Sequence, residues 1–464
     1  MIPSVPMCRG KARWLGVAAL GGVLLVSRAG SAQHARIHGI FTGSVGFTDN
    51  ILSTPEVEAS TPEEERIYPE ADGYGVVSPG LVFRYNTPRT AQTLNYTFAA
   101  NLFFRHGEAN SYTNTLVYAS RFVTSPTTQL SLGVVGTQGR LNTFIRDQDS
   151  GQTPLTALPA GGTSFVQGGV NQGFSKQFSP SVSVAEALGF LIYNPLTDFP
   201  QRTYNGTGSL AVLRAWENDT GSFRLNGAYT HFDNVATGEP GTTERLGRDQ
   251  LITTLLVGWQ HDYGRYFSHQ LDLGISQATD LSGQYAQLYQ PAALAALRYT
   301  REEVQAEAAY SHSAAPNVFL SQLALLDQAT VRAAAPLSQV ARLGAVGSLG
   351  VQVNQPIVNG TLGNAITLWL ADLALLWVPV RRIPELELEL RYQHVNQLAA
   401  ASQIVRNSLT LSAVFTFPPD REPQMRIAMT QPFGGTQRER PRREEAPQEN
   451  EEQEQQGQPA GQGE

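Results

Sequence analysis

The chain has little cysteine, little charge and few long apolar runs. Its single cysteine in 464 residues is Cys8, which precedes an apolar stretch. A lipid-acceptor cysteine follows such a stretch, so Cys8 is not placed to be one. One thiol also excludes a disulfide framework and a cysteine metal site. Charged residues make up 16% of the chain, with a formal net charge of −7. That balance speaks against nucleic acid as a partner, because phosphates call for a basic surface. Past the first segment, no apolar run approaches the roughly 20 residues of a membrane-spanning helix.

The first segment has three parts. Arg9, Lys11 and Arg13 are basic, Leu15 to Val26 is apolar, and Gly30-Ser31-Ala32 supplies small residues before Gln33. That order predicts a Sec signal peptide over 1–32. About twelve apolar residues are too few for an anchor, which needs roughly 20. At the other end, Arg438 to Glu464 is almost entirely Glu, Gln, Pro, Arg and Gly, with no aromatic residue. Such a composition does not order itself, so 418–464 is expected to be a disordered polar tail.

Between them, from about 33 to 417, the pattern has period 2. One face reads Ile37, Gly39, Phe41, Gly43, Val45, Phe47, and another Leu94, Tyr96, Phe98, Ala100, Leu102, Phe104. Others read Leu251, Thr253, Leu255, Val257, Trp259, and Leu409, Leu411, Ala413, Phe415, Phe417. The residues between are polar, small or glycine, of which the chain has 43. Alternation without helical spacing predicts strands with two unlike faces. The expected fold is all-β: a transmembrane antiparallel up-and-down β-barrel of about 18 strands, within a range of roughly 16–18. Pro79 and Glu186 each interrupt the pattern: a bulge is expected at Pro79, and a bulge or a misjudged register at Glu186.

The connections alternate too. Asn86 to Thr90, Ser125-Pro126, Ser179-Pro180, Ala335-Pro336-Leu337 and Pro379 to Pro384 are tight. Asn50 to Gly73, Thr143 to Gly162 and Asn234 to Arg248 are long. Short periplasmic turns alternating with longer external loops mark outer-membrane barrels. An even strand count leaves both termini in the periplasm of a Gram-negative cell. Tyr85, Phe122, Phe178, Trp216, Tyr263, Tyr266, Phe267, Trp377 and Phe417 all fall near the short turns. They are the expected aromatic girdle at the lipid headgroups. The acidic segment Asn50 to Gly73 has two readings, an inward constriction or a solvated external loop.

If the apolar face meets lipid, the charged residues line the lumen. The candidates are Arg84, Arg105, Arg121, Arg224, Arg298, Arg332, Arg342, Arg391 and Arg406, with Asp272, Glu307, Asp372, Glu385, Glu387 and Glu389. A charge on the lipid face costs about 2–4 kcal/mol near the midplane, which directs them inward. They form either ion pairs that keep a lumen wet or a selectivity surface.

No catalytic, cofactor or metal site is expected. The eight histidines are scattered, and no HExxH, GxSxG, P-loop or GxGxxG context occurs. His231 with Asp233, and His261 with Asp262, are neighbours without a nucleophile. The carboxylates of Glu385, Glu387 and Glu389 share one strand face, whereas acid–base work needs two in opposition.

The stretch Gly43-Ser44-Val45-Gly46-Phe47-Thr48-Asp49-Asn50-Ile51 resembles the opening strand of outer-membrane β-barrel porins found with exopolysaccharide and exosortase-type loci. In those, an aromatic residue followed by Asp-Asn and an aliphatic closes the first strand. Size and strand number are similar to barrels of the myxobacterial polysaccharide-secretion type. The polar tail after Phe417 departs from a plain porin ending. The resemblance implies a conduit for polysaccharide export, with Phe103 and Phe232 on the inner face helping to guide a glycan. A general or weakly selective diffusion porin, and a non-transporting scaffold or adhesin, stay open beside it. The expected partners are outer-membrane lipid, the barrel assembly machinery, and a polysaccharide or small solute in the lumen. Met425 to Phe433 is either a docking peptide for periplasmic export proteins or a linker.

Overall fold

A computed structural model describes residues 35–51, 68–141, 163–196, 202–236, 245–283, 287–301, 303–317, 322–358, 361–379, 386–399 and 402–418. The expected signal peptide, nearly all of the tail, and most of the two long segments 50–73 and 143–162 lie outside these residues.

The alternating segments all form strands. They are β1 (Ala35–Thr48), β2 (Asp72–Asn86), β3 (Thr90–Phe103), β4 (Ser111–Ser125), β5 (Thr128–Leu141) and β6 (Thr163–Gln177). Next come β7 (Val182–Pro195), β8 (Thr203–Ala215), β9 (Asp219–Ala236), β10 (Arg245–Tyr263), β11 (Phe267–Asp280) and β12 (Leu288–Arg301). The series ends with β13 (Val304–Asn317), β14 (Gln322–Ser338), β15 (Leu343–Val358), β16 (Thr361–Leu362), β17 (Ile366–Trp377), β18 (Leu386–Ala399) and β19 (Ser402–Phe417). β16 is two residues long and pairs only with β15, which leaves eighteen strands in the ring.

Each of the eighteen ring strands pairs antiparallel with the ring strands before and after it, β15 with β17 among them, and β19 pairs with β1 to close the barrel. Closure satisfies the edge groups that an open sheet would leave unpaired. The barrel strands run from 12 residues in β17 to 19 in β10, longer than the roughly 9–11 a tilted strand needs to cross hydrocarbon. No helix among the described residues is long and apolar enough to do so.

Directly paired residues share a face, so the register can be followed round the ring. Starting from Phe41 opposite Pro79 and Phe415, one face carries Leu81, Tyr96, Leu116, Val134, Val170, Phe190, Leu225, Leu255 and Leu273. It continues through Val331, Leu349, Leu373 and Leu390 back to Leu411. These side chains point away from the protein, with Val257 and Leu349 each 63% exposed. Soluble monomers rarely expose apolar patches beyond roughly 300–600 Å². A continuous apolar belt is a surface for lipid.

Two local expectations change. β2 keeps one register with β3 on both sides of Pro79, from Val77 opposite Ala100 to Gly80 opposite Thr97. The proline, which has no N–H to give, is absorbed by a gap in the ladder rather than a bulge. Pairing of β7 with β6 and β8 is likewise continuous through Glu186. Glu186 therefore sits on the outer face between Phe174 and Leu210, a few residues from the short-turn end. Its chain can reach toward the interface from there.

Candidate functional site

The inner face is the candidate site, and it has two unlike halves. From β9 round to β2 it is charged. Arg224 Nη1 donates to Asp272 Oδ2 at 2.8 Å. The same carboxylate also accepts from Gln270 at 2.6 Å and Ser222 at 3.3 Å. Asp272 is 1% exposed, so its charge has no water to rely on and needs all three donors. Gly258 lies directly opposite, and a Cβ there would collide with that carboxylate. The glycine is what lets the ion pair lie flat against the wall.

A second group runs across the strands. Arg298, Glu307 and Arg332 occupy one register row over β12, β13 and β14, followed by Ser348 and Asp372. Arg298 Nε is 3.3 Å from Glu307 Oε1, and Arg391 approaches both Glu389 at 2.5 Å and Asp372 at 4.0 Å. Arg84 stands opposite Arg36 at the short-turn end, and Arg121 opposite Ala91 and Ser131. Glu387 is on the inner face opposite Val414, and Arg406 is buried on β19 opposite Val395.

Two lumen candidates stand elsewhere. Arg342 occupies the β14–β15 turn with φ of 51° and is not on the wall. Arg105 is exposed in the β3–β4 connection, where its backbone N–H donates to Asp72 at 2.9 Å. Glu385 lies outside the described residues.

From β5 to β8 the inner face carries no charged side chain. Ser131, Thr137, Gln167, Asn171, Ser183, Asn205, Thr207 and Ser209 share it with glycines, with Leu191 and Leu213, and with the stacked, buried rings of Phe165 and Tyr193. Lys176, Glu186 and Arg214 on these strands all point outward.

Phe103 and Phe232 do lie on the inner face but are buried, at 8% and 0% exposure. Phe103 packs with Ile51, Ala109 and Tyr74. Neither ring is free to stack on a passing sugar, which corrects that expectation.

At the short-turn end Tyr85, Phe122, Tyr263, Phe267, Trp377 and Phe417 are on the outer face, and Phe178, Trp216 and Tyr266 lie just past strand ends. Basic groups cover three of these rings: Lys176 over Phe178 at 5.0 Å, Arg214 over Trp216 at 5.6 Å and Arg301 over Tyr266 at 5.7 Å. A cation over an aromatic face suits the headgroup level, where one side is wet.

Two arrangements were not read from the sequence. At the opposite end, three hairpins repeat a Tyr-x-His pair bridged by an Asx on the next strand. Tyr229 and His231 both reach Asp249 Oδ1, at 2.5 and 2.8 Å. Tyr310 and His312 reach Asp327 Oδ1 at 2.8 and 2.7 Å, and Tyr392 and His394 reach Asn407 Oδ1 at 2.8 Å each. His231 is thus partnered by Asp249 rather than by its neighbour Asp233. In the same way His261 pairs with Asp219 at 2.8 Å, not with Asp262. The repeated Tyr-x-His spacing was the available signal.

The second is a clasp built from Asp49-Asn50-Ile51. Asp49 accepts from the Asn407 backbone N–H and from Asn407 Nδ2, both at 2.7 Å. Asn50 Nδ2 donates to the Val405 carbonyl at 3.0 Å, and Ile51 is fully buried against Phe103 and Ala109. The motif pins the first strand to the last where the barrel closes.

No family model matches the chain, and no curated protein matches it. Among solved structures it is similar to the Pseudomonas aeruginosa outer membrane protein OpdK, at 9% identity and a TM-score of 0.41, covering 82% of this chain and 99% of that one. For OccK2 (OpdF) of the same organism the values are 10%, 0.43, 84% and 99%. For the FrpB iron transporter of Neisseria meningitidis they are 9%, 0.44, 82% and 82%. Such low values say nothing of cargo. The fold is established by the register itself, which closes eighteen antiparallel strands into one barrel with an apolar outside and a polar inside.

Proposed function

We propose that the chain spans the outer membrane of a Gram-negative cell as a conduit for an exported polysaccharide, with both chain ends periplasmic. The observation that carries this reading is the division of faces: an apolar belt outward all round and a largely polar inner wall. Barrels of roughly 16–18 strands enclose an aqueous channel. β1 begins and β19 ends at the short-turn edge, in keeping with periplasmic ends.

Glycan is favoured over a small ion by the uncharged wall of β5 to β8. Its hydroxyls and amides exchange hydrogen bonds with a hydrated chain without holding it by charge. The Asp-Asn-Ile clasp adds the resemblance to barrels of export loci. Strand β19, ending in Phe417, suits recognition by the assembly machinery, and the tail beyond is available to periplasmic partners. Deleting the coding region is expected to abolish surface polysaccharide and leave small-solute uptake intact. Normal surface polysaccharide in the deletion strain would overturn the reading.

A diffusion porin is the second reading, favoured by the paired charges of both signs on the wall from β9 to β2. Planar-bilayer recording separates the two: a stable, high-conductance open channel supports the porin.

A further inference from the structure

Beside the seam, at the long-loop end, three stretches of chain meet on the inner side of the wall. They are residues 49–51, residues 70–74, and residues 103–110 at the end of β3 and beyond it. Phe103 points inward, Ile51 and Ala109 pack over it, and Tyr74 lies tilted against it at 5.6 Å. Backbone bonds stitch the stretches together. The Ile51 N–H donates to the Glu70 carbonyl at 2.8 Å, and the Phe104 N–H to the Gly73 carbonyl at 3.0 Å. Asn110 Oδ1 accepts from the Phe103 N–H at 2.8 Å. The result is a small cap with its own apolar centre, in which Ile51 and Ala109 are fully buried.

One side chain of the cap sits between two carboxylates. His106 Nε2 is 2.7 Å from Glu70 Oε2, and His106 Nδ1 is 3.3 Å from Asp72 Oδ2. Glu70 is exposed, whereas Asp72 is buried and also accepts from the Arg105 and His106 backbone N–H groups at 2.9 and 3.2 Å. An imidazole can donate to both carboxylates only when it is protonated. In the neutral ring one nitrogen is an acceptor, and it then faces another acceptor. Among the described residues, the other charged groups around the cap are held in different ways. Arg105 and Glu108 are exposed on the same connection, and Arg140 of β5 donates to the Glu108 carbonyl at 3.2 Å. Asp49 is bound to Asn407, and Arg406 is buried within reach of the fields of Tyr74 and Asp49.

We infer that His106 is a pH-sensitive latch for this cap. Histidine is the side chain whose charge changes between pH 5 and 8. Near pH 5 the imidazolium donates to both carboxylates and ties the chain entering β2 to the β3–β4 connection. As the pH rises toward 8 the proton leaves, one of the two bonds is lost, and the cap loosens. Below about pH 4 the carboxylates themselves take up protons, which bounds the window on the acid side. The latch stands at the mouth of the barrel, and the inference does not rest on what the barrel carries.

The test uses a buried reporter in the full-length barrel. Residues 33–464 contain no cysteine, so Ala109→Cys places a single thiol under the cap, and Ile51→Cys places a second reporter on its other side. The alkylation rate of each is divided by that of Arg89→Cys, an exposed position at the opposite end, which corrects for the pH dependence of the thiolate. From pH 5.5 to pH 8 the ratio is expected to rise about tenfold, the effect of losing one charge-assisted hydrogen bond. In a His106→Gln background, which keeps an amide donor but does not titrate, the ratio is expected to stay constant. Heat-dependent gel mobility confirms that each variant folds. A ratio that is constant with His106 present at both reporters, or one that rises equally with Gln at 106, overturns the latch.

Discussion

Strands β5 to β8 and strands β9 to β18 line one barrel, yet their inner faces are built on opposite plans. On β5 to β8 the wall is thin. Asn171 lies across Gly133, where a Cβ would run into its amide. On β9 to β18 the wall is thick with long charged side chains, and Gly258 makes room for the buried Asp272 that binds Arg224, Gln270 and Ser222. The first plan leaves an uncharged surface of hydroxyls and amides beside the buried rings of Phe165 and Tyr193. The second ties neighbouring strands together through ions, and its stability depends on each charge keeping its partner. One arc of the ring is thus braced by ion pairs and the other is not.

The largest expected difference between the arcs is in stability. Arg224→Met strips Asp272 of its cation and is expected to cost about 3–5 kcal/mol, read as a lower denaturant midpoint. Thr207→Val on the uncharged wall is expected to stay within about 1 kcal/mol. Equal losses would break the comparison. Next comes the seam, where Asp49→Ala removes two charge-assisted bonds to Asn407. A loss of about 1.5–3 kcal/mol is expected, seen as unfolding at lower temperature on a heat-dependent gel, with Asp49→Asn recovering part of it. Ala187→Glu places an unpaired carboxylate on the uncharged wall. A shift of a few-fold toward cations in the bilayer reversal potential is expected, with little change in stability. The smallest effect belongs to the Tyr-x-His bridges. Tyr310→Phe loses one hydrogen bond to Asp327, about 0.5–1.5 kcal/mol.

Much of the fold was legible because lipid and lumen impose opposite demands on alternate residues, as in Leu409 to Phe417. The places where reading failed share a cause. Pro79 and Glu186 looked like faults in a strand, but a barrel tolerates a skipped ladder bond and a carboxylate near the interface. Arg342 looked like a wall residue because the sequence does not show where β14 turns. Asp49 shows the limit plainly. Its partner Asn407 is 358 residues away, and only ring closure brings them together.

If cargo passes through the lumen, a block on the inner wall stops it, and adjacent residues of β7 provide the block and its control. Ala187 faces inward and Leu188 outward, and residues 33–464 contain no cysteine. Single Ala187→Cys and Leu188→Cys variants are expressed in the deletion strain, treated with a bulky maleimide and followed for release of new surface polysaccharide. Labelling at position 187 is expected to stop release, while labelling at position 188 leaves it unchanged. Continued release with position 187 fully labelled would contradict it.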